Sequence, residues 1–180
     1  HEWLTMRLTS FLLTHDPTMA ANAGLYRPIS VTNPPGTVLN AAFPDAVGIR
    51  HTTARRLNDA MTGALLKAAL DMMAAPTCGA SAPFVLAEYG PEGAGRNVTV
   101  LEPMRGGMGA LMGKDGVDGR DATLSNMQNH PLETVESEAG VIIRKYDIRT
   151  DSGGAGQWRG GTGQMMTVEF LRDGGIVLAR

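Results

Sequence analysis

Two glycine-rich stretches constrain this chain more than any other feature of its sequence. The first runs from Arg105 to Gly119 and the second from Asp151 to Gly163, and together they hold about half of the 23 glycines. Glycine loses much backbone entropy on folding, so a sequence concentrates it where φ must be positive or where the main chain must approach another group closely. Two interpretations follow: long surface loops with tight turns, or main chain that lines a ligand or subunit surface.

The composition is that of an ordinary globular protein. With 180 residues, of which 43% are hydrophobic and 19% charged, the chain can bury the core of one domain. A net charge of −2 gives no electrostatic reason to expect nucleic acid or an anionic membrane as a partner. The single cysteine, Cys78, cannot form an internal disulfide, which favours a reducing, cytoplasmic location. No apolar run approaches the roughly 20 residues that span a bilayer.

The two ends of the sequence lie inside predicted elements. His1 opens the chain within a stretch that is predicted to be helical, and Arg180 closes it within a predicted strand. We therefore expect the sequence to be part of a longer polypeptide.

Apolar residues at spacings of three and four predict two helices in the first half of the chain. The first contains Trp3 to Leu13 and ends at Asp16-Pro17, because the residue before proline disfavours the helical region. The second runs from about Thr52 to Met73, with Thr52 or Thr53 as its N-cap.

The second half is predicted to be rich in β-structure. Clusters of β-branched and aromatic residues predict strands at Phe84–Tyr89, Asn97–Leu101, Val141–Ile148, Gln164–Leu171 and Ile176–Leu178. The first two are expected to pair around the turn Pro91–Gly93, and the last two around a hairpin at Asp173-Gly174. Shorter extended segments are predicted at Tyr26–Val31 and Val38–Asn40. Helices followed by strands with long Gly-rich loops indicate an α+β fold, a single region 1–180 that is helical over 1–75 and β-rich over 76–180.

Familiar phosphate and metal motifs do not fit the glycine-rich stretches. A P-loop has four residues between its first glycine and the Gly-Lys pair, then Ser or Thr, whereas Gly109 to Gly113-Lys114 has three and Asp115 follows. A dinucleotide fingerprint fails by one residue over Gly107–Gly113. The four histidines are scattered, without the paired spacing of a zinc site. We therefore assign no metal ligand in this sequence.

Polar residues that could carry chemistry cluster between Asn126 and Glu136. The side chains of Asn126, Asn129 and Glu133 could orient a substrate amide and transfer protons, or they could cap turns and satisfy local backbone. Arg105 and Arg159 are candidates for holding negative charge. The Arg159 guanidinium could clamp a carboxylate with two hydrogen bonds, or it could pair with Asp151. The other candidate substrate-binding residues lie in the first glycine-rich stretch: Gly106, Gly107, Gly109 and Asp118.

Several blocks of sequence occur in an order that resembles one protein family. They are Asn22–Ile29, Pro35–Asn40, Gly106–Ala110 with Asp115–Gly119, Asn126–Glu136, Asp151–Gly156 and Arg159–Gly163. Together they resemble the C-terminal half of the hydantoinase B / 5-oxoprolinase B family, and the resemblance covers nearly the whole chain.

The resemblance implies a subunit of an ATP-dependent complex that opens cyclic amides such as hydantoins, oxoproline or lactams. It implies a hydantoinase A-like partner that binds ATP with Mg²⁺, the remainder of the chain itself, and a small-molecule substrate. Some relatives carboxylate ketones, so a subunit of a ketone carboxylase is an alternative, as is a non-catalytic scaffold that docks the ATP-binding subunit. A divalent metal site is implied for the N-terminal half of such subunits, and no ligand for it is carried over to this segment.

Overall fold

The computed structural model describes residues 2–79, 82–88, 98–123, 125 and 127–179. Within these ranges, the helices are α1 (Glu2–His15), α2 (Arg50–Ala68) and α3 (Leu132–Ala139), with a short 3-10 helix at Ala23–Tyr26. The strands are β1 (Ala82–Glu88), β2 (Val98–Met104), β3 (Val141–Ile148), β4 (Gln164–Phe170) and β5 (Gly175–Ala179). The predicted α+β fold is confirmed. The predicted turn Pro91–Gly93, with Tyr89 and Asn97 beside it, lies outside the described residues.

The strands form two antiparallel sheets. One has the order β2-β1-β5 and the other pairs β3 with β4. The predicted pairing of β1 with β2 is confirmed, since Phe84 faces Glu102 and Leu86 faces Val100. The predicted hairpin between β4 and β5 is wrong, because β5 pairs with β1 and places Leu178 beside Val85. Gly174 does take a positive φ of 87°. The turn at Gly174 reverses the chain locally, as predicted. The apolar residues of β5 nevertheless pair with the free edge of β1 and not with β4.

The hydrophobic core lies where α3 packs on both sheets. Its fully or nearly fully buried members are Leu86, Val100, Val135, Ala139 and Val141, with Phe84, Ile143, Val168 and Phe170 packed around them. Each large apolar side chain removed from water here contributes about 1.5–3 kcal/mol to the free energy of folding. The core therefore fixes β2, β3 and β4 relative to one another. The residues that directly adjoin these strands are held in position as a result.

Helix α3 was absent from the sequence-based prediction. It starts after Pro131, whose φ of −55° suits a helix entry, and it stops at Gly140, which is left-handed with a φ of 60°. Val135 and Ala139 face the core one turn apart. With so few apolar positions in eight residues, the periodicity is weak, and the boundary residues Pro131 and Gly140 were the better signal.

Helix α2 differs from its prediction at both ends. It begins at Arg50 after Ile49, which is left-handed with a φ of 56° and makes no side-chain cap, so the predicted threonine N-cap is wrong. It ends at Ala68 and not near Met73, because Ala69 leaves the helical region. The chain then turns toward the first glycine-rich stretch, where the Ala75 N–H donates to the carbonyl of Ala110 at 2.7 Å.

The two extended segments predicted between α1 and α2 are also wrong. Residues 26–31 contain no strand, because Tyr26 ends the 3-10 helix Ala23–Tyr26 and a turn follows at residues 27 and 28. The Asn22 side chain caps that helix by accepting from the Gly24 N–H. Near Val38, an isolated bridge between Thr37 and Asn40 makes a tight turn in place of a strand. In both places the local turn chemistry of Asn and Gly outweighs the β-propensity of the neighbouring residues.

A buried ion pair joins α2 to the β-rich half. Arg55 donates to Asp121 at 3.1 Å and to the Ser125 hydroxyl at 2.8 Å, and the Arg55 and Asp121 side chains are only 3% and 1% exposed. Burial alone would raise the pKa of Asp121, but hydrogen bonds from Ser125 and the Met127 N–H, together with the Arg55 charge, lower it. The Asp121 carboxylate is therefore charged and held on several sides.

Candidate functional site

The two glycine-rich stretches lie side by side. We call Arg105–Gly119 the first loop and Asp151–Gly163 the second loop. Three main-chain hydrogen bonds join them, from the N–H groups of Gly116, Gly119 and Gly161 to the carbonyls of Arg159, Thr162 and Met108, at 2.7, 2.8 and 2.8 Å. The contact between the loops is therefore made largely by backbone.

Close approach explains why glycine is needed at this contact. A Cβ atom on Gly107 would overlap the carbonyl of Gly161, and a Cβ atom on Gly161 would overlap the carbonyl of Val117. Tight turns and close backbone contact thus occur at different positions, and the interpretation that the main chain lines a ligand or subunit surface stays a prediction. Gly113, with a φ of 83°, makes a tight turn, whereas Gly107 and Gly161 allow two backbones to touch.

Asp118 and Arg159 connect the loops through their side chains. The Asp118 carboxylate accepts from the Thr162 N–H at 2.7 Å and from the Arg159 guanidinium at 3.3 and 3.4 Å. The Thr162 N–H first, and Arg159 next, hold the pKa of Asp118 below its usual value. Arg159 thus pairs with Asp118 and not with Asp151, the partner considered from sequence. A role for either residue in substrate binding stays a prediction.

A cavity of about 580 Å³ opens between the loops and the segment that follows α2. This volume falls within the range of small-molecule sites. Much of the wall is main chain, including Gly106, Gly107 and Gly109, and its larger side chains are Met104, Arg105, Met108, Arg149, Trp158 and Gln164. Of the predicted substrate-binding residues, Arg105 and these three glycines line the cavity, whereas Asp118 and Arg159 do not.

Arg105 is fixed at the cavity wall by its backbone. Its N–H donates to the Gln164 side chain at 2.9 Å, and its carbonyl accepts from the Gln164 N–H at 2.9 Å. The Nε and Nη2 atoms of the guanidinium are buried without a hydrogen-bond partner among the described residues. Unpaired buried donors on a charged group are unfavourable and call for an explanation.

A buried polar network lies behind this wall and is centred on Glu102. The Glu102 side chain is 0% exposed. Its carboxylate accepts from the Asn129 side chain and from the His130 N–H at 3.3 Å, and it lies 2.9 Å from His130 Nδ1 and 3.5 Å from the Tyr146 hydroxyl. A buried carboxylate held by this many polar groups orients each of them in turn.

Gln164 connects the network to the cavity. The Gln164 side chain donates to Asn129 Oδ1 at 3.1 Å and accepts from the Tyr146 hydroxyl at 3.3 Å. Burial and the Glu102 charge raise the pKa of Tyr146 to about 12. The phenol therefore keeps its proton at neutral pH, and the network holds Gln164 and the Arg105 backbone in one arrangement.

The predicted catalytic residues fall in different places. Asn129 joins the network, Glu133 is exposed in the first turn of α3, and Asn126 lies outside the described residues. Sequence reasoning missed Glu102, Tyr146 and Gln164. Glu102 follows the buried Val100 by two positions on β2 and so shares its inward face. That alternation was the available signal.

Metal or nucleotide ligands are not evident in the described part of the chain. Among the described residues, no group of three or more His, Cys, Asp or Glu side chains is placed to hold a metal ion. The Gly-Lys pair lies in a tight turn, where the N–H groups of Leu111 and Lys114 each donate to the other residue's carbonyl. The donor set therefore does not fit ATP or a metal at this position. None of the described helices has the length and apolar character to cross a membrane.

Comparison with known proteins places these features in a family. The family model for hydantoinase B/oxoprolinase matches residues 4–179. The chain is 32% identical over 173 residues to the B-type subunit of a putative D-/L-hydantoinase from Pseudomonas sp. (strain NS671), covering 96% of this chain and 28% of that protein. It is 33% identical over 157 residues to the beta-type subunit of the caprolactamase from Pseudomonas jessenii, covering 84% of this chain and 27% of that protein.

A solved structure shows the same fold. The crystal structure of the ATP-dependent caprolactamase from Pseudomonas jessenii superposes with a TM-score of 0.74 and 29% identity, covering 92% of this chain and 30% of that chain. The present chain thus spans less than a third of the length of these relatives. The family match over nearly all of its residues agrees with the glycine and asparagine blocks, and the chain belongs to the hydantoinase B/oxoprolinase family.

Proposed function

We propose that this chain is part of the B-type subunit of an ATP-dependent cyclic-amide hydrolase and that the cavity between the two loops forms part of its substrate chamber. The observation that carries the proposal is the cavity wall, which is built from both glycine-rich blocks of the family resemblance. Relatives named for hydantoin and caprolactam support the substrate class, because both compounds are cyclic amides.

In this proposal, the residues of the chain bind and orient the substrate. Backbone contacts between the loops hold the wall, and the network of Glu102, Asn129 and Tyr146 fixes Gln164 from behind. A wall whose side chains are already held in place loses little entropy when a ligand binds. Asn129 is then a positioning residue, and the exposed place of Glu133 gives less support for a role in catalysis.

The partner and cofactor assignments belong to the same proposal. ATP with Mg²⁺ would be held by a hydantoinase A-like partner, and the remainder of the B-type chain would complete the chamber. The naming of relatives as B-type and beta-type subunits supports a complex of unlike chains. The single Cys78 favours the cytoplasm.

The test uses the full-length subunit purified with its A-type partner. We expect ATP-dependent ring opening of hydantoin, 5-oxoproline or caprolactam, followed by chromatography of the ring-opened acid and by ADP release. Asn129→Ala is expected to lower kcat/KM by about tenfold or more, because Gln164 loses the partner that holds it in position. Arg144→Gln, on the exposed face of β3 and paired with Glu169, is the matched surface control.

Other outcomes would assign a different function. ATP turnover that requires a ketone and bicarbonate, with no cyclic amide opened, would identify a carboxylase. If Asn129→Ala and the cavity variant Trp158→Ala both keep wild-type kinetics while the complex remains assembled, this segment is a scaffold and the cavity is not part of the chamber.

A further inference from the structure

We propose that the cavity receives its ligand through an oxyanion, a carboxylate or a phosphate group, which pairs with the Arg105 guanidinium. This inference rests on the proposed function in taking the cavity as part of the substrate chamber. It adds the chemical class of the group that the chamber binds.

The first observation is that Arg105 has no ion-pair partner among the described residues, in contrast to four other arginines. Four arginines each have a carboxylate partner within 4 Å: Arg55, Arg144, Arg159 and Arg172. Arg105 forms no ion pair with the described residues, although two of its donor atoms are buried. The nearby Glu102 carboxylate is occupied by Asn129 and His130. The charge of Arg105 is therefore left for a group that is not part of the described chain.

The geometry of the unpaired donors defines what that group is. Nε and Nη2 lie on the same edge of a guanidinium, and their N–H bonds are parallel. This edge forms two hydrogen bonds with a carboxylate or a phosphate. Both atoms are shielded from water, so the proposal requires the guanidinium to turn this edge toward the cavity, where the bound oxyanion replaces the missing hydrogen-bond partners.

The charge of the cavity wall agrees with an anionic ligand. Arg149 supplies a second positive charge, and the described residues lining the cavity include no Asp or Glu. An anion that enters the cavity can therefore approach Arg105 without meeting a carboxylate of the described lining.

Two sources could supply the oxyanion, and they differ in a measurable way. 5-Oxoproline carries a ring carboxylate, whereas caprolactam and hydantoin carry none. Phosphate, in contrast, would be shared by reactions of all three substrates because each reaction consumes ATP in the proposed function.

The experiment compares Arg105→Gln, Arg105→Lys and Arg144→Gln in the full-length subunit with its partner. We measure KM for 5-oxoproline and for caprolactam, and inhibition by inorganic phosphate with each substrate. Arg105→Gln is expected to weaken binding of the anion at least about tenfold, the lower end for hydrogen bonds to a charged group. Arg105→Lys should recover only part of the lost affinity for the anion, because lysine keeps the positive charge but lacks the two parallel N–H donors of the guanidinium. Arg144→Gln should change neither value.

The outcomes separate the sources and can overturn the proposal. A rise in KM for 5-oxoproline alone assigns the substrate carboxylate, whereas weaker phosphate inhibition with both substrates assigns phosphate. Unchanged values for both probes in a folded Arg105→Gln protein overturn the oxyanion site. If the wild-type complex opens no cyclic amide, calorimetry with inorganic phosphate and with 5-oxoproline tests the site without turnover. Binding of either probe that is lost in Arg105→Gln supports the site, and wild-type protein that binds neither probe overturns it.

Discussion

Two arginine–aspartate pairs connect distant parts of this chain, and they do so in opposite surroundings. Arg55 and Asp121 join α2 to the β-rich half with side chains that are 3% and 1% exposed. Arg159 and Asp118 join the two glycine loops with side chains that are 46% and 42% exposed. In the buried pair, Arg55 also donates to the Ser125 hydroxyl, and Asp121 also accepts from Ser125 and from the Met127 N–H. The exposed pair lies beside a contact between the loops that is already made by main-chain hydrogen bonds.

The difference in burial determines how much each ion pair contributes to the stability of the fold. A buried charge that loses its partner is left without water, so breaking the buried pair is costly. An exposed pair competes with solvent and salt, and its loss is small. The contact between the two loops is therefore stabilised more by glycine backbone than by the Arg159–Asp118 pair. The contact between α2 and the β-rich half is stabilised mainly by the Arg55–Asp121 pair.

The largest expected effect comes from breaking the buried pair. Arg55→Ala leaves the Asp121 carboxylate buried without its cation and should lower the free energy of unfolding by about 3–5 kcal/mol. Hydrogen exchange of α2 amides in the full-length subunit measures the loss. The double variant Arg55→Met with Asp121→Leu should recover most of it, since no charge remains buried. Arg159→Ala is the matched control and should be several-fold less costly. Equal losses in Arg55→Ala and Arg159→Ala would refute the contrast.

An intermediate effect is expected from adding one methyl group to the contact between the two loops. Gly161→Ala places a Cβ atom against the Val117 carbonyl, and the displaced backbone should cost about 1–3 kcal/mol. Gly154→Ala in the same loop has open space around its Cβ and serves as the control. Hydrogen exchange at the Gly116 and Gly119 amides reports on that contact. Protection that is the same in both variants would show that close approach does not require glycine here.

The smallest effect concerns acid pH. The pKa values of Asp118 and Asp121 are both lowered in the fold, so each carboxylate stabilises the folded state above its usual pKa of about 3.9. That stabilisation is lost as the pH falls through the lowered values. Asp118→Asn should therefore weaken the dependence of the free energy of unfolding on pH below about 3.9. Thermal unfolding across that range tests it, and an acid profile identical to wild type would show that Asp118 contributes nothing.

The sequence predicted those parts of the fold that are encoded locally. Strand β3 was predicted with its observed bounds, because Val, Ile and Tyr are concentrated there. Helix α3 was missed because its two buried residues, Val135 and Ala139, become meaningful only against the core that they help to build. The pairing of β5 with β1 likewise depends on which sheet edge is free, a property of the assembled fold and not of the turn at Gly174.

For the candidate site, the sequence pointed to the glycine-rich stretches, and part of the cavity wall is indeed their main chain. The expectation that Arg105 holds negative charge stays a prediction. The partner of Arg159 was not predictable, since Asp118 lies 41 positions away in sequence and comes close only when the loops pack. Glu102 was missed because the strand was predicted from the apolar residues around it. The alternation that places its carboxylate on the inward face was not considered.

A cavity wall made of backbone limits which positions can carry a new side chain. Any other residue at Gly107 or Gly161 places a Cβ atom against the backbone of the opposite loop, so a side chain can be added there only by separating the two loops. Under the proposed function, a change in the size or charge of the ligand would be accommodated by neighbouring side chains that line the cavity, namely Met104, Arg149 and Trp158. Substitutions that alter ligand preference should begin with these three residues.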